Sequence, residues 1–134
     1  MIYVLDACAI IAYLRGEPGA DEVSAILFDP AHVSLAHALN LCEVYYNFYR
    51  ANGEMAARNS INDVFALGVQ LRNDLSAQFW QGAGALKALH RRISLADCFA
   101  VALTQAVGGT VLTSDHHEFD PLAERGFCAL TFIR

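Results

Sequence analysis

Residues 2–14 read IYVLDACAIIAYL, a short apolar run that passes at Asp6 directly into a longer one. The first run, Ile2 to Leu5, is rich in β-formers and predicts a strand. The second run, Ala7 to Leu14, predicts a helix that ends before Gly16 and Pro18. Asp6 is therefore predicted at the corner between a strand and a helix.

The same alternation of short strands and longer helices continues along the chain. Further strands are predicted at Val33–Leu35, Gly68–Leu71, Thr110–Thr113 and Cys128–Ile133. Further helices are predicted at Ala20–Phe28, His37–Arg50, Glu54–Leu67, Leu75–His90, Ser94–Val107 and Pro121–Arg125. We therefore expect an α/β fold with a central, mostly parallel sheet of four or five strands and helices on both faces. No repeat or linker interrupts the pattern, so residues 1–134 are predicted to form a single domain.

The composition indicates a small globular protein. With 134 residues, 55% hydrophobic and 17% charged, the chain can bury about two-thirds of its unfolded surface in one domain. No stretch approaches the roughly 20 continuous apolar residues of a membrane span, and the N-terminus lacks a basic start or cleavage-like site. We therefore expect a cytoplasmic protein. The cysteines, Cys8, Cys42, Cys98 and Cys128, occur singly rather than at zinc spacing, which favours free thiols in a reducing compartment.

The formal net charge of −5 would repel a nucleic acid at long range. A nucleic-acid substrate would therefore need a local basic patch, and the candidate is formed by Lys87, His90, Arg91 and Arg92. The same residues are also typical of a solvated helix C-terminus, where cations complement the helix dipole. The patch alone leaves both interpretations open.

Four acidic residues lie in short apolar contexts spread along the chain: Asp6, Glu43, Asp97 and Asp115. An ionised carboxylate beside a core costs several kcal/mol unless it is paired, hydrogen-bonded or bound to metal. Since the chain has few cations, a divalent metal is the natural partner, and carboxylate-bound metal indicates phosphodiester chemistry. Asp6 and Asp115 each follow a predicted strand directly, so both should emerge at the carboxyl edge of the sheet, where such folds bind ligands.

The first two acids also have a purely structural interpretation. Asp6 is a favoured N-cap for the helix that follows it. Glu43 lies on a polar stripe of a predicted helix with Asn40 and Asn47, and such a stripe commonly faces water. These interpretations explain each residue type separately, but four acids in core-like contexts are poorly explained as independent accidents.

The other two acids have structural interpretations as well. Asp97 forms a capping-box pattern with Ser94, and Asp115 fits an ordinary turn after a strand. The segment after Asp115 is rich in residue types that bind metals. His116 and His117 are nevertheless predicted as solvated loop residues, and Asp120 as a helix N-cap that precedes a proline.

The four stretches that carry the acids resemble, in order and over nearly the whole chain, the successive acidic motifs of the PIN domain. They are Leu5–Ala12 (LDACAIIA), Asn40–Val44 (NLCEV), Ile93–Ala100 (ISLADCFA) and Leu112–Asp115 (LTSD). A single motif is weak, but the ordered set is fairly specific. The chain is most similar to small single-domain PIN proteins of the VapC-like type, the toxin halves of toxin–antitoxin pairs.

This resemblance implies a PIN-like (Rossmann-like) three-layer sandwich and an endoribonuclease that uses Mg2+ or Mn2+ to hydrolyse RNA by a two-metal mechanism. It also implies that the catalytic, metal-binding acids are Asp6, Glu43, Asp97 and Asp115. The implied partners are an RNA substrate and a small antitoxin protein, and a homodimer is compatible with the sequence. The alternative is a non-catalytic PIN-like module that binds RNA or protein, and a metal-dependent phosphatase is the third class.

Further residues have supporting roles under the same resemblance. Asn40, Cys8 and Thr113 lie close to the acids in sequence, and Thr113 keeps the hydroxyl usual before the last acid. The position of Cys8 often carries a hydroxyl or amide in the family, so a supporting hydrogen bond is missing in this chain or is replaced by the thiol. RNA is expected to approach through Arg15, Lys87, Arg91 and Arg92.

Overall fold

Five strands and seven helices alternate along the chain in the computed structural model, which describes residues 1–134. The strands are β1 (Ile2–Leu5), β2 (Val33–His37), β3 (Gln70–Arg72), β4 (Thr110–Thr113) and β5 (Ala129–Phe132). The helices are α1 (Ala7–Arg15), α2 (Ala20–Leu27), α3 (Ala38–Asn52), α4 (Glu54–Ala66), α5 (Ala77–Leu89), α6 (Leu95–Val107) and α7 (His116–Arg125). None of the helices combines the length and apolarity that crossing a membrane requires.

All five strands lie in one sheet in the order β3-β2-β1-β4-β5, and every neighbouring pair is parallel. The predicted α/β fold with a parallel sheet is therefore confirmed. Successive strands are added on one side of β1 as far as β3 and then on its other side, where β4 and β5 lie. Leu5 at the end of β1 pairs with Leu112 on β4. The carboxyl ends of β1 and β4 thus flank the crevice in which open α/β sheets bind ligands.

Two hydrophobic cores cover the two faces of the sheet, because adjacent strand residues point to opposite faces. Val4 and Val111 pack with α5, α6 and α7 in one core. Leu5 and Leu112 pack with α1 to α4 in the other. Helix α6 is deeply buried, with nine of its 13 residues inside the protein. An acid in the first turn of this helix therefore lies in a core environment.

Two glycines let β4 run close beside β1. Gly108 ends α6 in the left-handed conformation with φ 66°, which a side chain would disfavour. A Cβ atom on Gly109 would lie only 2.8 Å from the backbone oxygen of Ile2. The two residues thus set the path of the chain into β4, whose other end carries the segment that leads to Asp115.

The start of α7 differs from the prediction. The sequence predicted a helix over Pro121–Arg125 with Asp120 as its N-cap, but the helix begins at His116 and contains Pro121. The predicted N-cap role of Asp120 and the loop conformation of His116 and His117 are therefore wrong. Elsewhere the predicted element boundaries are correct to within two residues.

A competing cap explains the earlier start of α7. Asp115 is the N-cap, and its Oδ1 accepts a hydrogen bond from the backbone N–H of Glu118 at 3.0 Å. Phe119, in the first turns of the helix, is fully buried in the core and anchors this extra length. Pro121 costs the helix the hydrogen bond to the carbonyl four residues earlier, and its ring crowds that carbonyl. Capping and burial together outweigh that loss.

Candidate metal centre

Asp6 and Thr113 join the carboxyl ends of β1 and β4. Asp6 is fully buried and caps α1, because its Oδ1 accepts the backbone N–H of Ala9 at 2.8 Å. Its Oδ2 accepts a hydrogen bond from the Thr113 hydroxyl. The same hydroxyl oxygen accepts the backbone N–H of Asp115 at 3.0 Å. Asp6 therefore acts as an N-cap, and Thr113 connects it to the segment that carries Asp115.

Three carboxylates converge beside this junction. Asp97, Asp115 and Glu118 each offer one oxygen atom, and these oxygens all lie within 4.8 Å of one another. Oxygens that share one Mg2+ or Ca2+ ion each lie about 2.0–2.6 Å from it, so such a spacing suits a common cation. Without a cation, ionised carboxylates this close repel one another.

The carboxylate of Asp97 is available to this cluster. The Ser94 Oγ accepts the backbone N–H of Asp97 at 3.2 Å, so Ser94 caps α6 as the sequence suggested. The Asp97 carboxylate accepts no hydrogen bond from the backbone N–H of Ser94, so only half of the capping box forms. The carboxylate instead hydrogen-bonds to that of Glu118. The protonated Asp97 carboxyl is the donor in this bond, because its pKa is strongly raised.

Glu118 is a residue that the sequence reasoning missed. It is the third residue of α7, and its Oε2 is buried without a hydrogen-bond partner. A detectable signal was its spacing of three residues from Asp115, which places it in the first turn of a helix capped by Asp115. The predicted helix start at Pro121 concealed this relation.

Glu43 approaches the cluster from α3. Its side chain is half-buried, which is the main cause of a raised pKa. The negative charges of Glu118 and Asp115 raise the pKa further. Glu43 therefore feels the other acids, in contrast to the interpretation in which its polar stripe simply faces water.

Asn40 links the two helices that carry Glu43 and Asp97. It is fully buried one turn before Glu43, and its Nδ2 donates a hydrogen bond to the carbonyl of Ala96 at 3.1 Å. Because Ala96 directly precedes Asp97, this bond holds α3 against the first turn of α6. The Asn40 Oδ1 is buried without a partner. Unpartnered buried oxygens on Asn40 and Glu118, together with the converging carboxylates, fit the all-oxygen ligand set of a hard divalent cation.

The acids carry strongly perturbed pKa values. Burial raises the pKa of Asp6 to about 7, and the charges of Asp115 and Glu43 add to this effect. The hydrogen bonds from Thr113 and Ala9 act in the opposite direction. Strongly raised carboxyl pKa values at the mouth of a sheet are typical of functional sites.

Asp97 is perturbed further than Asp6. Burial, the hydrogen bond with Glu118 and the charge of Asp6 raise the pKa of Asp97 to about 10. The half-buried Cys8 shows the same influence, because burial and the Asp6 charge raise the pKa of its thiol above the ordinary range. The Cys8 thiol is therefore protonated at neutral pH, and it makes no hydrogen bond to the acids.

These shifts predict how stability depends on pH in the absence of metal. An Asp in an unfolded chain has a pKa of about 3.9, so the folded state binds more protons than the unfolded state above that pH. The free energy of unfolding should therefore be highest near pH 4 and fall as the pH rises through about 7 for Asp6 and towards about 10 for Asp97. We expect a loss of at least about 1 kcal/mol between pH 5 and pH 8 in urea denaturation with EDTA. A free energy of unfolding that rises between pH 5 and pH 8 would contradict the conclusion that the folded state binds more protons than the unfolded state.

The basic residues expected to bind RNA differ in whether their side chains already make contacts within the protein. The Lys87 ammonium donates hydrogen bonds to the carbonyls of Arg91 (3.0 Å) and Ile93 (2.6 Å). Arg15 donates to Asn47 at 2.9 Å and stacks on the ring of Phe48. The side chains of Arg91 and Arg92 are exposed and form no ion pair. These two are therefore the most available of the expected set.

His116, His117 and Asp120 lie on the solvent side of α7. The two histidines are exposed, as predicted. One ring nitrogen of His116 contacts Asp120 Oδ1 at 2.9 Å and the other contacts the backbone oxygen of Arg134 at 2.8 Å. The His116 ring also stacks on Phe132. His116 and Asp120 are thus engaged with each other and with the C-terminus.

Comparison with known proteins identifies relatives of the fold. A family model described as PIN domain matches residues 3–124. The structure of VapBC2 from Rickettsia felis, bound to a promoter DNA fragment, gives a TM-score of 0.72 at 14% identity over 98% of both chains. VapBC-1 from nontypeable Haemophilus influenzae gives 0.71 at 18% identity, covering 99% of this chain and 98% of that chain.

A third solved structure is VapC20 from Mycobacterium tuberculosis, a toxin that cleaves the sarcin–ricin loop. It gives a TM-score of 0.70 at 17% identity and covers 90% of this chain and 95% of that chain. No curated protein matches the sequence significantly. At these identities the solved structures establish a shared fold. The family model matches a range of the sequence that contains all four predicted acids.

Proposed function

This chain belongs to the PIN domain family, and from that membership we propose that it is a metal-dependent endoribonuclease and the toxin of a toxin–antitoxin pair. The observation that carries the proposal is the convergence of the Asp97, Asp115 and Glu118 oxygens within 4.8 Å at the carboxyl edge of the sheet. Asp6 and Glu43 complete an acidic centre, since the charges of neighbouring acids in it help to raise the pKa of both residues. Phosphodiester hydrolysis is a chemistry that uses such a centre.

In this proposal the acidic centre holds Mg2+ or Mn2+. The ligand acids are Asp6, Glu43, Asp97 and Asp115, with Glu118 as a fifth. The bound ion would supply a nucleophilic water and stabilise charge that develops on the phosphate. The fit rests on the oxygen-only donor set and on the buried oxygens that lack hydrogen-bond donors.

The protein contributes rigid placement and proton control. Thr113 and Ala9 fix both oxygens of Asp6, so this carboxylate is held in one orientation. Asn40 keeps α3 and α6 together and thereby sets the separation of Glu43 and Asp97. Because its pKa is raised to about 10, Asp97 holds a proton at neutral pH, and this proton must leave before the carboxylate can act as a ligand. Deprotonation and ion binding are therefore linked, and binding should strengthen as the pH rises.

We propose that RNA reaches the centre past Arg91 and Arg92. Their guanidinium groups are exposed and suited to bidentate contacts with phosphate. Lys87 and Arg15 already donate hydrogen bonds within the protein, so their contribution would come mainly from charge. A local basic surface is needed because the whole chain carries a net charge of −5.

We also propose a small antitoxin as the protein partner, in the cytoplasm. Solved structures that share this fold include VapBC complexes from Rickettsia felis, Haemophilus influenzae and Salmonella typhimurium. All four cysteines are free, which agrees with a reducing compartment. A cationic side chain of the partner could pair with the acidic centre and so inhibit it.

Incubation of purified protein with labelled single-stranded RNA tests the proposed activity. We expect cleavage in Mg2+ or Mn2+ that EDTA abolishes, and products that carry a 5'-phosphate and a 3'-hydroxyl. RNA binding without cleavage in either metal would favour the non-catalytic module. Turnover of a generic phosphomonoester with intact RNA would favour a phosphatase.

A further inference from the structure

A groove opens next to the acidic centre, between α7 and the turn that follows α5. Its cavity has a volume of about 200 Å3. Three arginines line it, Arg91 and Arg92 from the turn and Arg125 from the last turn of α7. Glu118, a member of the acidic cluster, lies in the same wall. The groove therefore borders the acidic cluster at Glu118.

These three arginines differ from the other five in the chain. Arg58, Arg72 and Arg134 pair with Glu54, Asp74 and Glu17 respectively, Arg15 donates to Asn47, and Arg50 stacks on Tyr46. Arg91, Arg92 and Arg125 form no ion pair, side-chain hydrogen bond or cation–π contact. All three arginines without a partner thus converge on one cavity in a chain of net charge −5. Three unpaired cations at one groove give it a local positive potential, which attracts an anion.

Hydrogen bonds and side-chain packing fix the backbone of the groove wall. Lys87 donates to the carbonyls of Arg91 and Ile93 and so fixes the turn that carries Arg91 and Arg92. His90, in the same turn, is 7% exposed and packs edge-on against Phe127 with ring centroids 4.7 Å apart. A guanidinium group on a fixed backbone loses less freedom when it binds a phosphate.

Helix α7 connects the groove to the acidic centre. Glu118 and Arg125 are seven residues apart, so they lie on the same face, separated by about 10 Å along the helix axis. Pro121 lies between them in the groove wall. One helix thus presents a carboxylate to the metal centre and a cation farther along the same face. Arg125 is therefore positioned to bind a phosphate group next to the phosphate that lies at the acidic centre.

We propose that Arg91, Arg92 and Arg125 form a phosphate-binding subsite that takes the backbone of single-stranded RNA beyond the cleaved bond. This rests on the proposed function of the adjacent acids. Proteins that recognise RNA specifically bind mostly single-stranded segments, and guanidinium groups contact phosphate without reading base identity. The substrate is therefore a strand that extends far enough past the cleavage site to supply a second phosphate. A DNA strand of equal length should compete for the same groove.

The salt dependence of RNA binding tests the subsite independently of cleavage. A labelled 12-nucleotide RNA is titrated with Asp97→Asn protein in Mg2+, and the slope of log Kobs against log salt is measured. Arg125→Gln should reduce the slope by about 0.7, and Arg91→Gln, Arg92→Gln and Arg125→Gln together by about 2. The matched control is Arg58→Gln, which removes the same charge from an exposed ion pair on α4 and should leave the slope unchanged.

Cleavage assays with the same arginine variants, in protein that keeps Asp97, distinguish the proposed subsite from the proposed nuclease activity. Arg125→Gln should raise KM for the 12-nucleotide RNA about tenfold, whereas Arg58→Gln should leave both KM and kcat unchanged. A triple variant that keeps the salt slope, or an Arg58→Gln variant that loses as much slope as Arg125→Gln, would overturn the subsite. Arginine-dependent binding by a protein that cuts no RNA would preserve the subsite and reject the nuclease.

Discussion

Asp97→Asn should reduce Mg2+-dependent RNA cleavage by at least about 100-fold, the magnitude typical when a group that acts on the developing charge is lost. Asp97 interacts with three other acids of the site. Its oxygen lies within 4.8 Å of those of Asp115 and Glu118, and the charge of Asp6 helps to raise its pKa. An amide keeps the shape of the side chain but removes a negative charge. Initial rates in saturating RNA over a range of Mg2+ concentrations measure the loss.

The same variant should fold normally. The cap of α6 uses the Ser94 hydroxyl and the backbone N–H of Asp97, neither of which changes. Because the pKa of Asp97 is raised to about 10, the carboxyl is protonated in the metal-free protein, and an amide mimics that form. The free energy of unfolding in EDTA at pH 7 should therefore be equal to or higher than that of the unmodified protein. Asp63→Asn, on the exposed surface of α4, is the matched control and should cleave RNA at the normal rate. Full cleavage by folded Asp97→Asn protein would reduce Asp97 to a structural role.

Glu118→Gln should lower cleavage by about 10- to 100-fold at a fixed, sub-saturating Mg2+ concentration, within the range typical for a lost metal-supporting group. Glu118 hydrogen-bonds to Asp97 and has a buried oxygen without a partner, so its charge is directed at the site. The expected defect is in ion affinity, and higher Mg2+ should restore part of the rate. Titration of the cleavage rate with Mg2+ measures both quantities.

Glu124→Gln is the control for this prediction. Glu124 lies on the same helix, is exposed, and has the same chemistry. Its replacement should leave both the rate and the Mg2+ dependence unchanged. Equal behaviour of the two variants would show that Glu118 belongs to the surface charge of α7 and not to the metal centre.

The sequence predicted the parts of this site that depend on strand ends. Asp6 directly follows β1, Asp115 is the second residue after β4, and parallel strands bring their carboxyl ends to the same edge. The fold class followed from the alternation of strands and helices for the same reason. Local periodicity is sufficient for both, because neither depends on how side chains pack.

Three features were beyond the sequence because they arise from long-range contacts or competing local signals. Glu118 was concealed because Pro121 is a strong signal for a helix start, yet the Asp115 cap and the buried Phe119 extend the helix past it. The bond from Asn40 to Ala96 spans 56 residues. The internal role of Lys87 depends on the turn geometry that only the folded chain shows.

Divalent-ion binding tests the central claim most directly. Thermal unfolding is followed at pH 7.5 with increasing Mg2+ or Mn2+, for the unmodified protein and for Asp97→Asn. An ion that binds only the folded state should stabilise it by about 2.7 kcal/mol at 100 times its Kd, so the midpoint should rise with ion concentration. The Asp97→Asn variant should begin at an equal or higher midpoint and respond only weakly. Unfolding midpoints of the unmodified protein that are indifferent to both ions would contradict the assignment of these acids as a metal centre.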